Sequence, residues 1–349
     1  MRRFAQVSIK DIARSAGLSH STISRALRDS SLVNPETRRR IQKLAKDMNY
    51  TPDAWARSLV LRRTQTIGVV VTSISDPLIA EVIQEIESAA YESDFSIILA
   101  SSAAEPGREL AAVRMLRSKR VDGVIVTSSR IGALYREHLR QIGVPIVLIN
   151  SHSEQEGRYS YSVTVDNFQG GFLAARHLIG LGHRRIAYID GPEGHSSSTG
   201  RRGGYRKALE EAGVPFDPSL AIPGDERITG GAHAVPILMD RADPPTAIFC
   251  YNDLTAFGVL RAVASRGISV PRELSVVGFD DIELARSVSP SLTTIAQPKG
   301  DLGRRSMRML LSLMRTENPE EDRISDIVLP GELIVRESTG STASARRDG

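Results

Sequence analysis

At 349 residues, with 41% hydrophobic and 25% charged residues, the chain is long enough for two or three domains with real cores, and its composition is that of an ordinary globular protein. Its single cysteine, Cys250, excludes an internal disulfide framework and a cysteine-based metal cage, and no apolar run approaches the roughly 20 residues that cross a bilayer. The net charge of +4 is unevenly divided: residues 1–63 carry 14 Lys/Arg against 5 Asp/Glu, the rest 31 against 36, as in a nucleic-acid-binding head joined to a mildly acidic body.

In chain order, Met1 to Ala5 has basic residues with no apolar core behind them, so it does not read as a secretion signal, and a cytoplasmic location is expected. Three short helices follow. Ser8 and Asp11 have the spacing of an N-terminal capping box. Ile9, Ile12, Ala13 and Ala16 then recur as one buried face, and Gly17 marks the stop. Ser19 caps a second helix running to about Arg28. Asn34-Pro35 opens a third, which buries Ile41, Leu44, Ala45 and Met48.

The second helix carries the information. At about 100° per residue, Ile23, Ala26 and Leu27 share one face, while His20, Ser21, Ser24, Arg25 and Arg28 share the opposite one. Short polar residues near a helix N-terminus can approach base edges, and an arginine can reach guanine O6 and N7 bidentately, as a helix-turn-helix requires. A three-helix bundle with a merely solvated face would not explain why that face lacks acidic residues before Asp29.

The stretch Val7–Leu27 (VSIKDIARSAGLSHSTISRAL) and Val33–Arg38 (VNPETR) closely resembles the head of the lactose-repressor (LacI/GalR) family, and the resemblance extends to Val335–Ser338. It implies that His20 and Ser21 are the variable base-reading pair and that Arg25 is the major-groove arginine. It further implies that Ser19, Thr22 and Ser24 hold phosphates and that Asn49 and Tyr50 contact the backbone beside a hinge. Residues 51–59 resemble the family's hinge helix, which folds when two copies meet on an operator. Leu59 stands where the family wedges a leucine into the minor groove. Asp53 and Trp55 depart from the usual residues there.

From Thr66 onward, apolar runs at Ile67–Val71, Ser96–Ala100, Gly123–Val126, Pro145–Ile149, Arg185–Ile189, Ala247–Cys250 and Leu274–Gly278 alternate with amphipathic stretches such as Ile79–Ala90 and Leu110–Leu116. This predicts parallel sheets covered on both faces, in more units than one sheet needs. The resemblance likewise implies a periplasmic-binding-protein-like body of two Rossmann-like subdomains, crossed three times, near Val163–Val165, Leu292–Ile295 and Ile324–Val328. The expected fold class is therefore α/β with an N-terminal three-helix head. The expected domains are 1–50 (head), 51–63 (hinge and linker) and 64–338 (effector binding and dimerisation), with 339–349 a flexible tail. The body would divide into a first lobe of 64–164 and 295–325 and a second of 165–294 and 326–338.

Ligands bind beyond the carboxyl ends of strands in such sheets. Asn150, Asn252 and Asp280 lie just past strand ends, and Arg201 lies in a Ser/Gly-rich stretch. An arginine, an aspartate and asparagines converging on a cleft suit a hydroxyl-rich ligand. By resemblance Arg201, Asn252 and Asp280 contact the effector, with Asn150 and Gln297 beside them and Leu78 and Ile79 as apolar wall. Glu226 replaces an aromatic that stacks on the ligand in some members, while Asp253 and Asp281 read as caps or turns.

No GxGxxG opens a helix after a strand at Gly170-Gly171 or Gly203-Gly204, no G-x-S-x-G elbow accompanies Ser196–Ser198, His183 or His195, and no HExxH occurs. The expectation is a repressor, not an enzyme, without cofactor or metal. Its expected partners are a near-palindromic DNA operator, a small effector and a second copy of itself, with no membrane. The tail lacks the leucine heptads of a tetramerising coiled coil. A transport or receptor component is the rival reading of the body alone, and the head argues against it.

Overall fold

The structure, a computed structural model, describes residues 7–27, 29–50, 63–127, 143–151, 160–316, 319 and 321–342. It forms two compact units, Met1–Thr64 and Gln65–Gly349. The hinge readings at Asp53, Trp55 and Leu59, and Arg28 of the second helix, lie outside the described residues.

The head has helices α1 (Ile9–Ala16), α2 (His20–Ala26) and α3 (Pro35–Asp47). Each is punctuated by its own sequence. The Ser8 N–H and hydroxyl both donate to the Asp11 carboxylate, at 2.9 and 2.7 Å, and Gly17 takes the left-handed conformation that ends α1. Ser19 Oγ accepts from Thr22 N at 3.2 Å, and Asn34 Oδ1 accepts from Glu36 N at 2.8 Å. Ile12, Ile23, Ala26 and Ile41, all buried, join the three helices in one small core.

The second unit holds two six-stranded sheets, each forming a lobe. The first sheet contains β1 (Thr66–Val71), β2 (Ser96–Ser101), β3 (Gly123–Thr127), β4 (Ile146–Ile149), β5 (Ser160–Val165) and β11 (Ile327–Leu329), in the order β2-β1-β3-β4-β5-β11 and wholly parallel. Helices α4 (Pro77–Glu92) and α5 (Pro106–Ser118) connect its first strands. The second contains β6 (Ile186–Ile189), β7 (Ala221–Ile222), β8 (Ala247–Cys250), β9 (Ser275–Asp280), β10 (Thr293–Ala296) and β12 (Glu332–Ile334), ordered β7-β6-β8-β9-β10-β12, with only β12 antiparallel. Its helices are α6 (Asn167–Gly180), α7 (Ser196–Glu211), α8 (Ile228–Met239) and α9 (Asp253–Ser265), and α10 (Lys299–Leu313) returns to pack on α4.

Strand periodicity sorts the second core. Tyr188 and Phe249 point to the layer containing Ala174 and Tyr205 of α6 and α7. Ala187, Ile189, Ile248 and Cys250 point to the opposite layer, under α8 and α9. Cys250 is therefore core, and burial raises its thiol well above the usual range.

Three boundaries differ from the sequence reading. β10 belongs to the second sheet, so the second crossing falls at 297–298 and not within 292–295. β11 pairs with β5 in the first sheet, so residues 327–329 belong to the first lobe and the third crossing falls at 330–331. These strands are three or four residues long, too short for their alternation to name a sheet. Nor is the segment after Ser338 free up to Thr342. Thr339 Oγ1 lies 2.9 Å from His177 Nε2, Gly340 O lies 3.0 Å from His183 Nε2, and Thr342 N donates to Leu181 O. Burial holds both histidines below their ordinary pKa, while the Gly340 carbonyl pulls His183 part of the way back.

Candidate DNA-reading face and interlobe ligand site

Packing of Ile23 and Ala26 against α1 and α3 leaves the opposite face of α2 outward. His20, Ser21 and Arg25 are exposed there, with Thr22 and Ser24 half-buried beside them. Ser19 Oγ is occupied by its capping role and by the Ser21 and Thr22 hydroxyls, each 2.8 Å away. The turn before α3 is braced by Asp29, whose carbonyl accepts from Arg38 at 3.0 Å and whose carboxylate accepts from Gln42 at 2.8 Å. Past α3, Asn49 sits at φ 51° and Tyr50 folds back so that its N–H donates to Ala45 O. The outward face of α2 thus carries hydroxyl, imidazole and guanidinium groups and is rich in hydrogen-bond donors.

In both lobes the strand order reverses direction after the first two strands, and a crevice opens at such a switch point beyond the strand ends. The second lobe's polar residues converge there. Arg201 is 4% exposed and Asp280 6% exposed. The Arg201 Nε donates to Asn167 Oδ1 at 2.9 Å and one terminal nitrogen to Tyr251 O at 2.6 Å, while the other lies 3.8 Å from Asp280 Oδ1. Its guanidinium carbon stands 3.6 Å from the Phe279 ring centre and 4.5 Å from that of Tyr251. The cation is therefore held flat and pre-aimed.

Burial holds the Asp280 carboxyl well above the usual carboxylate range, against the pull of Arg201, and the charges of Asp253 and Asp76 add to the rise. Asp280 and Asp281 both have positive φ, 121° and 53°, a costly conformation for residues with side chains. The kink turns the Asp280 carboxylate toward the second crossing. Gln297 Nε2 donates to Asp280 Oδ1 at 2.6 Å, Asn150 Nδ2 donates to Gln297 Oε1 at 3.0 Å, and Val165 N donates to Asn150 Oδ1 at 3.1 Å. A continuous hydrogen-bonded thread thus joins β4 of the first lobe to β9 of the second.

The other expected residues fare differently. Asn252 is first the cap of α9: its Oδ1 accepts from Thr255 N and Oγ1 at 2.9 and 2.7 Å, and its amide donates to Glu226 O at 3.0 Å. Ile79 belongs to the core shared by the sheets, and Leu78 is buried at the start of α4. Arg201 and its Ser/Gly-rich stretch form helix α7. Its glycines let α6 and α7 cross backbone to backbone, since a Cβ on Gly204 would stand 2.5 Å from Phe172 N and 3.0 Å from Gly171 C. Asp253 is fully buried and accepts from Thr294 Oγ1 at 2.6 Å and Ile282 N at 2.9 Å, so it braces the fold, and burial raises its carboxyl to about 7.

Sequence reasoning missed Asn167, Tyr251, Phe279 and Asp76. The last two had local signals: Phe279 directly precedes Asp280 at a strand end, and Asp76-Pro77 is a helix-start signature, with Asp76 Oδ1 accepting from Leu78 N at 3.0 Å. Among the described residues no cluster of three or more His, Cys, Asp or Glu could hold a metal, and no helix is long and apolar enough to cross a membrane.

Residues 8–53 match the model of the "Bacterial regulatory proteins, lacI family", and residues 175–339 match a periplasmic binding protein-like domain. The chain is 35% identical over 336 residues to the HTH-type transcriptional repressor PurR of Photorhabdus laumondii, covering 95% of this chain and 96% of that protein. Among solved structures, the lac repressor dimer bound to operator and the anti-inducer ONPF superposes with a TM-score of 0.83 at 27% identity, covering 96% of this chain and all of that one. A transcriptional regulator CelR–cellobiose complex superposes with a TM-score of 0.71 at 32% identity, covering 95% and 100%.

Proposed function

Since this chain belongs to the lacI family of bacterial regulatory proteins, we propose that it is a cytoplasmic repressor that binds a near-palindromic operator as a homodimer and is controlled by a small hydroxylated ligand held between its lobes. It performs no catalysis. In this reading His20, Ser21 and Arg25 read bases, and Ser19, Thr22, Ser24, Asn49 and Tyr50 fix the head on the phosphates, with Leu59 as minor-groove wedge. Arg201 and Asp280 grip the ligand with help from Asn150, Gln297, Asn252 and Leu78.

The observation that carries the reading is the pre-aimed Arg201–Asp280 pair, in contact through Gln297 with Asn150 of the other lobe. An arginine and a carboxylate held side by side present donors and acceptors at the spacing of neighbouring hydroxyls. A ligand that binds the two lobe arrangements unequally then shifts the population competent for DNA.

Two measurements on the full chain test this. Selection from a random DNA pool should enrich inverted repeats, because a two-fold dimer reads two half-sites. A thermal-stability screen of sugars and related polyols, ribose and cellobiose included, should raise the melting temperature of the wild type and not of Asp280→Ala. Enrichment of unrelated single sites, or a stabilising sugar that ignores Asp280, would refute the respective half.

A further inference from the structure

The Asp280–Asp281 kink is fixed at four points besides its own backbone. The Asp280 carboxylate meets Arg201 of α7 and Gln297. The Asp281 carboxylate meets Arg336, just past β12, at 2.6 Å, and Ile282 N donates to Asp253 of α9. All but Gln297 belong to the second lobe, and Gln297 lies in the crossing segment itself. The fifth contact comes from the first lobe. Lys299, the first residue of α10, donates from Nζ to the Asp281 carbonyl at 2.6 Å, and the same ammonium is 2.8 Å from Glu81 Oε2 on α4.

Lys299 is mostly buried. The groove around it, lined by Glu81, Glu85, Lys299, Asp301 and Arg304, has its charges already paired. Arg304 bonds both Glu85 (2.6 Å) and Asp301 (3.0 Å), and Lys299 bonds Glu81. With no unmatched charge among these side chains, the groove is a strut between α4 and α10 and not an ion site. Its one outward reach is the Lys299 hydrogen bond across the lobe boundary.

We propose that Lys299 is a positioning residue that ties the ligand-gripping turn of the second lobe to helix α4 of the first, so that a shift at Asp280 is passed to α4 through the Asp281 carbonyl. This rests on the interlobe ligand site proposed above. The kink makes the transfer direct: carboxylate and carbonyl belong to consecutive positive-φ residues, so reorienting one swings the other. A single ammonium shared by a carboxylate and a carbonyl cannot follow that swing without moving α4 or letting go.

The test uses the full chain without ligand, so it stands apart from the identity of any effector. Amide hydrogen exchange is compared for wild type, Lys299→Met, Lys299→Arg and Glu81→Gln. Lys299→Met is expected to speed exchange about tenfold in the segments 277–284 and 77–84 together, as for loss of one charge-assisted hydrogen bond. The head and the α6–α7 pair should stay unchanged. Lys299→Arg should restore both segments, and Glu81→Gln should loosen 277–284 less than Lys299→Met does. On DNA selected as above, operator affinity should change with Lys299→Met and recover with Lys299→Arg. Unaltered exchange at 277–284, a uniform increase across the body, or altered exchange with unaltered operator affinity would each overturn the proposal.

Discussion

Replacing Arg201 by methionine removes the cation from the proposed ligand site while keeping much of its apolar stem. The guanidinium is 4% exposed and serves Asp280, Asn167 and Tyr251 at once. Removing one partner of a buried ion pair costs about 3–5 kcal/mol. Each orphaned acceptor adds about 1–3 kcal/mol where water does not reach it. Because all three partners share one group these figures do not add, and a loss of about 3–5 kcal/mol is expected. The pH dependence supplies the sign. Burial already raises the Asp280 carboxyl in the folded state, and Arg201 pulls it down. The folded state therefore holds a proton that the unfolded chain releases, and this group's contribution falls as pH rises from the ordinary carboxylate value through the raised one. Without Arg201 the folded value climbs, so the gap between wild type and Arg201→Met should widen once pH passes the wild type's raised value. Adding Asp280→Asn removes the titrating carboxyl and should recover at least about 1 kcal/mol with a flat profile. Urea unfolding followed by circular dichroism measures all of this. A penalty that is small, independent of pH, or not relieved in the double variant would refute the account of Arg201 as the counter-charge of Asp280.

Three further outcomes are expected. Arg25→Ala should weaken binding to the selected DNA by about 1–3 kcal/mol and relax preference at one base pair per half-site, and equal losses on selected and random DNA in a titration would make it a phosphate contact. A Cβ at Gly204 would stand 2.5 Å from Phe172 N and 3.0 Å from Gly171 C, so Gly204→Ala should part α6 from α7, lowering stability by about 1–3 kcal/mol and abolishing the thermal shift by any ligand of the Arg201 site. Ending the chain at Ser338 should strip His177 and His183 of their Thr339 and Gly340 partners and lower the denaturant midpoint by an amount equivalent to about 1–3 kcal/mol; an unchanged midpoint would mean the docked segment is ornamental.

The head was readable because its signals are local. Ser8, Gly17, Ser19 and Asn34 each act on backbone groups within four residues, and a heptad's worth of sequence contains both cap and capped. The long parallel strands were readable for the same reason. The short edge strands were not: β7, β11 and β12 are two or three residues long, and their membership depends on which neighbour lies beside them. Arg201, Asp280, Asn150 and Gln297 could be named but not connected, since the Asn150–Gln297 bond spans 147 positions. Composition did not show the helix at 196–204, where Ser and Gly are dense. There the glycines serve helix–helix contact, a requirement set by the partner helix.

The late return of the chain to both sheets bears on synthesis. β11 completes the first sheet and β12 the second, and both lie downstream of residue 326. While the ribosome is still translating the middle of the message, the head, whose described core lies between Val7 and Tyr50, can already fold. Each lobe, by contrast, waits with an open sheet edge until β11 and β12 have been read. During that interval Val163 and Ile295 present unpaired backbone beside apolar side chains, the condition that invites strand addition from a neighbouring nascent chain. Slow translation late in the message would lengthen that exposure. The yield of active regulator should therefore depend on codon usage just before β11 and β12 more than on codon usage in the head.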